Sequence, residues 1–370
     1  MHYLDNGSTT QVCEEACEKA IYIMRECFGN PSSLHSFGFS AEKELREARE
    51  IVLNSLASEG NLVFTSGGTE SNNLAILGAV EQNKHYGKKI VSSSIEHASV
   101  MSTMKQLENK GYEVLYLKPN ANGEIEKQSI FDAITSDTIL VSFMSVNNET
   151  GYKLPIDCVS SAIKRANSKA FSHCDNVQGF LKENISPKAL GIDLMSISAH
   201  KVHASKGVGA LYIGKGVHIK PQIFGGTHEN SMRAGTENLP GICGFAKAVK
   251  AYKKNPEIKN LKKLLIKIVS SFPEVTINSP ENSSDYILNF SLGKIKGETM
   301  QHFLAEKNIF VSTGSACSSS KPSHVLESLG YDKNRISSSI RVSFSNQNTK
   351  DDISALALAL KEGFEKIAHI

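Results

Sequence analysis

Between Asn61 and Ile213, short runs of apolar, β-branched residues alternate with longer stretches of helical periodicity. This alternation predicts an α/β fold with a mainly parallel, seven-stranded sheet covered by helices. The predicted strands are Leu62–Thr65, Ile90–Ser94, Glu113–Leu117, Ile139–Met144, Ala170–Cys174, Asp193–Ser198 and Val208–Ile213. Between the first two, Thr69 to Lys84 predicts a helix whose Leu74, Leu77 and Gly78 share a core-facing stripe at i, i+3, i+4 spacing. Beyond Gly241 the texture changes. A lysine-rich helical stretch at Ala246–Lys267, strands at Glu274–Asn278, Tyr286–Ser291 and Ile340–Phe344, and helices at Glu298–Lys307 and from Asp351 predict a smaller α+β domain. The expected division is a large domain over 13–250 and a small one formed by 1–12 with 251–370.

The chain has 370 residues, 40% of them apolar, enough for about two domains with substantial cores. Its 41 basic and 38 acidic residues nearly cancel, to a formal charge of +3, so no global field draws it to nucleic acid or to a membrane surface. Met1-His2-Tyr3-Leu4-Asp5 has no basic stretch followed by an apolar one, and no apolar run approaches the about 20 residues of a membrane span. The expectation is a cytoplasmic protein with neither a direct nucleic-acid partner nor a membrane partner. Seven cysteines, an odd number without a secretion signal, argue against a disulfide framework. Cys13 and Cys17, four apart and followed by Cys27, would share a helix face, but no CxxC or HxxxH stands near them to complete a zinc site. With Cys158, Cys174 and Cys243 they are expected as small core residues, and no metal is expected.

In such folds ligands bind beyond the carboxyl ends of the strands, so residues just after predicted strands are the candidates. Phe64-Thr65-Ser66-Gly67-Gly68-Thr69-Glu70-Ser71 runs from a strand through a double glycine into a helix, offering free N–H groups and a positive dipole end. It lacks the ending of a P-loop and the spacing of GxGxxG, so a single phosphate suits it better than a dinucleotide; a plain turn is the ordinary alternative. Ser198-Ala199-His200-Lys201 delivers a lysine to the same rim, where a desolvated amine forms Schiff bases, although an isolated lysine is ordinarily a surface residue. Asp175 ends another strand, with Gln178 three residues on; a carboxylate there suits a protonated ring nitrogen and equally suits a turn. His97, after a strand end, is placed to stack on a ring and shuttle protons, or simply to face solvent. Arg341 alternates with Ile340, Val342 and Phe344, so it faces away from the core, toward a substrate carboxylate or toward water. Cys317 lies in Ser312-Thr313-Gly314-Ser315-Ala316-Cys317-Ser318-Ser319-Ser320, a small-residue loop expected to be exposed and mobile, which suits a nucleophilic thiol and also a thiol with no role.

Taken together, the segments resemble the cysteine desulfurases, the NifS/IscS-like group of class-V, fold-type-I pyridoxal-phosphate (PLP) enzymes with the aspartate-aminotransferase fold. The resemblance runs nearly end to end: Tyr3-Leu4-Asp5-Asn6 with Thr9-Thr10, Asn30-Pro31-Ser32-Ser33 with His35, Phe64 to Asn73, Glu96-His97, Asn147-Asn148-Glu149-Thr150-Gly151, Asp175 with Gln178, Ser198 to Lys201, Arg233 to Asn238, Ser315-Ala316-Cys317 with Pro322-Ser323, and Ile340-Arg341. It implies that Lys201 binds PLP covalently and later moves the Cα proton, that Asp175 pairs with the pyridine nitrogen, that Gln178 touches the ring hydroxyl and that His97 stacks on the ring. Gly68, Thr69, Ser198 and His200 would hold the phosphate, Thr236 would reach the phosphate of the partner subunit in a homodimer, and Asn148 and Arg341 would receive the carboxylate of L-cysteine. Cys317 would take the sulfur as a persulfide and pass it to an acceptor, an iron–sulfur scaffold or a tRNA-thiolation enzyme.

Some positions depart from the group's pattern. Val202-His203-Ala204-Ser205-Lys206 stands where a Tyr-Gly-Pro-Lys stretch is common, Leu181 replaces a frequent glycine before Lys182, the stretch from Cys317 to Pro322 is short, and the chain ends soon after its last helix. These bear on the choice of sulfur acceptor. Selenocysteine lyase or an aminotransferase is the neighbouring enzymatic alternative; a sulfur-transfer scaffold without catalysis is the alternative outside enzymes.

Overall fold

The computed structural model describes residues 1–120, 122–313 and 322–367. One seven-stranded sheet dominates, in the order Gly60–Thr65, Gly209–Gly214, Leu194–Ser198, Phe171–Asp175, Thr138–Met144, Lys89–Ser93, Glu113–Leu117. All neighbours pair parallel except Gly209–Gly214, which runs antiparallel to both strands beside it. The interior strand Thr138–Met144 is buried at every position, as a strand covered on both faces must be, which is why it reads as a continuous run in the sequence. On one face Leu74, Ala75, Ala79 and Val80 of the helix Gly68–Asn83 pack with Ile90, Ile139, Leu194 and Leu211. On the other, residues of the helices Glu14–Arg25, Ser36–Ser55 and Leu239–Ala251 join Phe64, Phe143 and Ile197.

The antiparallel strand assembles the rim. Its first residue, Gly209, pairs with both Thr65 and Ser198, the last residues of the two flanking strands. The glycine turn after Thr65 and the lysine after Ser198 therefore emerge side by side. Position 209 must be glycine, because a Cβ there would sit 2.7 Å from the backbone of Gly67.

A further core surrounds the antiparallel sheet Ser339–Ser343, Ile287–Ser291, Thr276–Ile277, with Leu4, Val146 and residues of the helices Ile258–Val269, Gly297–Glu306 and Lys350–Lys366. The chain start joins it: His2–Tyr3 pairs parallel with Ile309–Phe310, and Asp5 bridges to Ser343.

Three expectations need correction. The stretch Ala246–Lys267 is not one helix but two, Leu239–Ala251 and Ile258–Val269; Pro256 disfavours helical geometry at Asn255 and lacks the N–H a helix interior needs. Cys13 and Cys17 are not core residues: Cys13 caps the helix Glu14–Arg25 half-buried, and Cys17 is exposed because Ala16 and Ile23 occupy the buried face; Cys27, Cys158, Cys174 and Cys243 are buried. Arg341 does not reach water, since both faces of Ser339–Ser343 are covered.

Candidate active site

The strand Gly60–Thr65 ends at Ser66-Gly67-Gly68, where the helix Gly68–Asn83 begins. Gly67 has φ +155° and ψ −179°, a conformation reserved for glycine, and a Cβ on Gly68 would come within 2.7 Å of Val177. The helix therefore opens on bare backbone whose first N–H groups have no helical partner, an arrangement suited to an anion. Thr69 follows, and Ser198, beside Gly68, and His200 line the same cavity. His200 is pulled down to about pKa 4 by burial and by Lys201, Lys206 and Lys182, so it is neutral.

Lys201 is held by the chain start: its Nζ donates to the carbonyls of Gly7 (2.5 Å) and Ser8 (2.7 Å). Burial, reinforced by Arg341 and Lys182 and opposed by Asp5 and Asp175, lowers its pKa to about 7. Much of this amine is therefore unprotonated and nucleophilic near neutral pH. The Asp175 carboxylate accepts from the Asn72 amide (2.7 Å) and from Val177 N–H (3.0 Å). Gln178 donates through Nε2 to the Gly7 carbonyl (2.9 Å). His97 caps the helix Ala98–Asn109, its Nδ1 lying 3.2 Å from Ser99 N and 2.9 Å from Ser99 Oγ, and burial lowers its pKa.

Arg341 is among the largest fully buried side chains. Its Nη2 donates to Asp5 (2.7 Å) and to the Ser8 hydroxyl (2.7 Å), and its Nη1 to the Asn148 carbonyl (2.8 Å). Gly68, Thr69, His97, Asn148, Asp175, Gln178, Ser198, His200, Lys201 and Arg341 all line one cavity of about 440 Å³. Thr236 lines a different, smaller cavity with Thr65, Ser66, Gly207 and Arg233. Cys317 lies outside the described residues.

The main cavity also contains residues that sequence reasoning did not single out as functional: Gly7, Ser8, Asn72, Ser99, Glu149 and His324. Asn72 and Glu149 sit inside motifs already noted, so their position in the chain was a signal; His324 had none. Four buried polar atoms of residues on the cavity wall, Asn72 Oδ1, Asn148 Oδ1, Gln178 Oε1 and Arg341 Nε, have no partner among the described residues. Buried groups left unpaired are costly, and a polar guest relieves that cost. A bare helix N-terminus for a phosphate, a carboxylate for a ring nitrogen and a depressed lysine together fit PLP, a group no one of them would specify.

The Aminotransferase class-V family profile matches residues 2–356. A cysteine desulfurase IscS of Methanosarcina thermophila is 38% identical over 377 aligned positions, covering 100% of this chain and 93% of that protein. Among solved structures, a NifS-like protein superposes with a TM-score of 0.92 at 33% identity, covering 99% of both chains. SspA in complex with cysteine superposes with a TM-score of 0.84 at 31% identity, covering 94% of this chain and 100% of that one. With sequence and fold matching over nearly the whole chain, the protein belongs to the class-V aminotransferases and, among them, to the PLP-dependent cysteine desulfurases.

Proposed function

We propose that this protein removes sulfur from L-cysteine, releasing L-alanine and leaving a persulfide on Cys317 for transfer to an acceptor protein in iron–sulfur cluster assembly or in tRNA or cofactor thiolation. The observation that carries the reading is the depressed, buried Lys201 amine sharing one cavity with the Asp175 carboxylate and the Arg341 guanidinium. SspA, the relative of similar fold, has been seen with cysteine bound, which supports the choice of substrate.

Bound PLP supplies an electron sink that acidifies the substrate Cα–H and weakens the Cβ–S bond. The chain's own residues do the rest. The Gly68 and Thr69 N–H groups, Ser198 and His200 would hold the phosphate, Asp175 would keep the ring nitrogen protonated, and Gln178 would offer the ring hydroxyl its Oε1, which has no partner among the described residues. His97 would stack on the ring. Arg341 and Asn148 orient the substrate carboxylate, bringing Cα to Lys201, which takes its proton. The Cys317 thiolate attacks the substrate sulfur; an S–S bond forms, the Cβ–S bond breaks with its electron pair left to carbon, Cβ takes up a proton, and Lys201 returns a proton to Cα, which completes alanine.

The division into 13–250 and 1–12 with 251–370 belongs to the same proposal; the separate core around Ser339–Ser343 supports it. So does a homodimer in which Thr236 serves the partner's phosphate. Met24, Phe28, Leu34, Phe37 and Phe39 are exposed close together along the chain, with Phe28 and Phe37 rings 5.5 Å apart, an apolar surface suited to a second copy. A cytoplasmic location belongs to the same proposal; no helix among the described residues is long and apolar enough to cross a membrane.

The test is product analysis with L-cysteine and a reductant, on wild type and Cys317→Ala. Equal sulfide and alanine from yellow wild type, with little of either from yellow Cys317→Ala, is the expected result. Undiminished product from the variant refutes the role of Cys317; a colourless wild type refutes the reading as a whole.

A further inference from the structure

Asn72 lies in the first turns of the helix Gly68–Asn83 and is 1% exposed. Among the described residues its side chain hydrogen-bonds to none of those assigned above to substrate or phosphate. Its Nδ2 is 2.7 Å from Asp175 Oδ2 and 2.9 Å from Ser99 Oγ, while Oδ1 has no partner among the described residues. The reverse orientation of this amide would set an oxygen against the Asp175 carboxylate, two acceptors face to face, so the two N–H groups must point to Asp175 and to Ser99. Donor directions downstream then follow. The Ser99 hydroxyl accepts from Asn72 and is free to donate its own proton, and His97 Nδ1, 2.9 Å away, is placed to accept it. The same Nδ1 accepts from Ser99 N–H at 3.2 Å. A ring nitrogen taking two donors carries no proton, so the neutral His97 keeps its proton on Nε2.

We infer that Asn72 is a positioning residue joining the two groups that would grip the cofactor ring: one N–H of its amide holds the Asp175 carboxylate, and the other, relayed through the Ser99 hydroxyl, keeps His97 in its Nε2–H form. This inference rests on the reading of the cavity as the PLP site. The charged and titratable groups around His97, Asp175, Lys201 and His324, act on its ring through space, whereas the relay acts through hydrogen bonds at Nδ1. Among the described residues, removing the Ser99 hydroxyl leaves Nδ1 with one backbone donor, and removing the Asn72 amide leaves the Asp175 carboxylate with the Val177 N–H and the Ser99 hydroxyl without the donor that orients it. Ring stacking and proton transfer at His97 then proceed from a mixed population of tautomers.

The experiment uses histidine-15N-labelled holoenzyme and long-range 1H–15N spectra, with His97→Gln identifying the signals of the ring. Wild type is expected to show an unprotonated, doubly hydrogen-bonded Nδ1. Asn72→Leu and Ser99→Ala should both shift that resonance and lower kcat by about tenfold to a hundredfold, the worth of a hydrogen bond to a charged or reacting group. KM for L-cysteine should stay within about threefold, because neither side chain hydrogen-bonds to Asn148 or Arg341, the residues assigned to the substrate carboxylate. Ser99→Thr, which retains the hydroxyl, should restore both readouts. Ser99→Ala removes a single atom and keeps the test in force if Asn72→Leu does not fold. A proton on Nδ1 in yellow wild type, or a Nδ1 resonance unmoved in Ser99→Ala, overturns this inference alone. A wild type without the absorbance of bound PLP overturns the reading of the cavity and this inference with it.

Discussion

Replacing Glu96 by Gln should flatten the dependence of stability on pH. Glu96 is wholly buried behind the cavity; its Oε1 accepts from the Ser93 hydroxyl and from Met144 N–H at 3.1 Å, and its Oε2 has no partner among the described residues. Burial, aided by the nearby Asp175 carboxylate, pushes its pKa up to about 8, against 4.5 for an ordinary glutamate. Between those values the folded protein holds a proton that the unfolded chain has released. The stability this residue contributes is therefore intact below the lower value and is lost as pH rises through the upper one. Over the interval from about pH 5 to about pH 8 the loss comes to about 3.5 kcal/mol, from about 1.4 kcal/mol per pH unit. Gln retains the Oε1 acceptor and cannot ionise, so this part of the slope disappears. Its new N–H, unpaired where Oε2 stood, costs about 1–2 kcal/mol at every pH alike. Urea unfolding of the cofactor-free wild type and variant across that range separates the two effects. The stability of the variant relative to wild type should rise by about 3.5 kcal/mol from the acid to the alkaline end; a rise below about 1 kcal/mol would refute a protonated, buried Glu96.

Lys201→Ala should fold, lose the yellow colour and lose all turnover; colour in that variant would show that another group holds the cofactor. Arg341→Ala should cost about 2–5 kcal/mol in kcat/KM, mostly as a raised KM for L-cysteine, because a buried guanidinium with several hydrogen bonds is removed from the carboxylate site. An unchanged KM in steady-state assays would move the carboxylate elsewhere. Phe37→Asp should shift the protein toward monomer in light scattering and weaken retention of PLP, since a charge is placed within the exposed apolar surface beside Phe28. A stable, fully loaded dimer in that variant would place the subunit interface on another face.

The strands of the main sheet were legible because buried parallel strands are uninterrupted apolar runs that stop at turn residues; Glu113–Leu117 matches its expected bounds, and Leu62–Thr65 was short by only its first two residues. The rule placing ligands at strand ends then gathered Lys201, Asp175 and the glycine turn on one rim. Distant pairings left no such trace. Asp5 meets Arg341 across 336 positions and Asn72 meets Asp175 across 103, and no periodicity links them. Arg341 was read as facing a substrate or water, yet it is enclosed by the chain start, which a strand pattern cannot foresee. The break before Ile258 was signalled by Pro256, but the lysine-rich periodicity on both sides masked it. Cys17 sits one residue from the buried Ala16, a rotation of the helix that cysteine spacing alone does not reveal.

The most direct measurement of the central claim is the mass of the intact enzyme after a single turnover with L-cysteine in the absence of reductant, with the modified peptide located by fragmentation. The account predicts one added sulfur atom on the peptide containing Cys317, matched by one alanine released, and no added mass on Cys317→Ser. Alanine released with the sulfur on another cysteine, or with no sulfur retained by the wild-type protein, would contradict it.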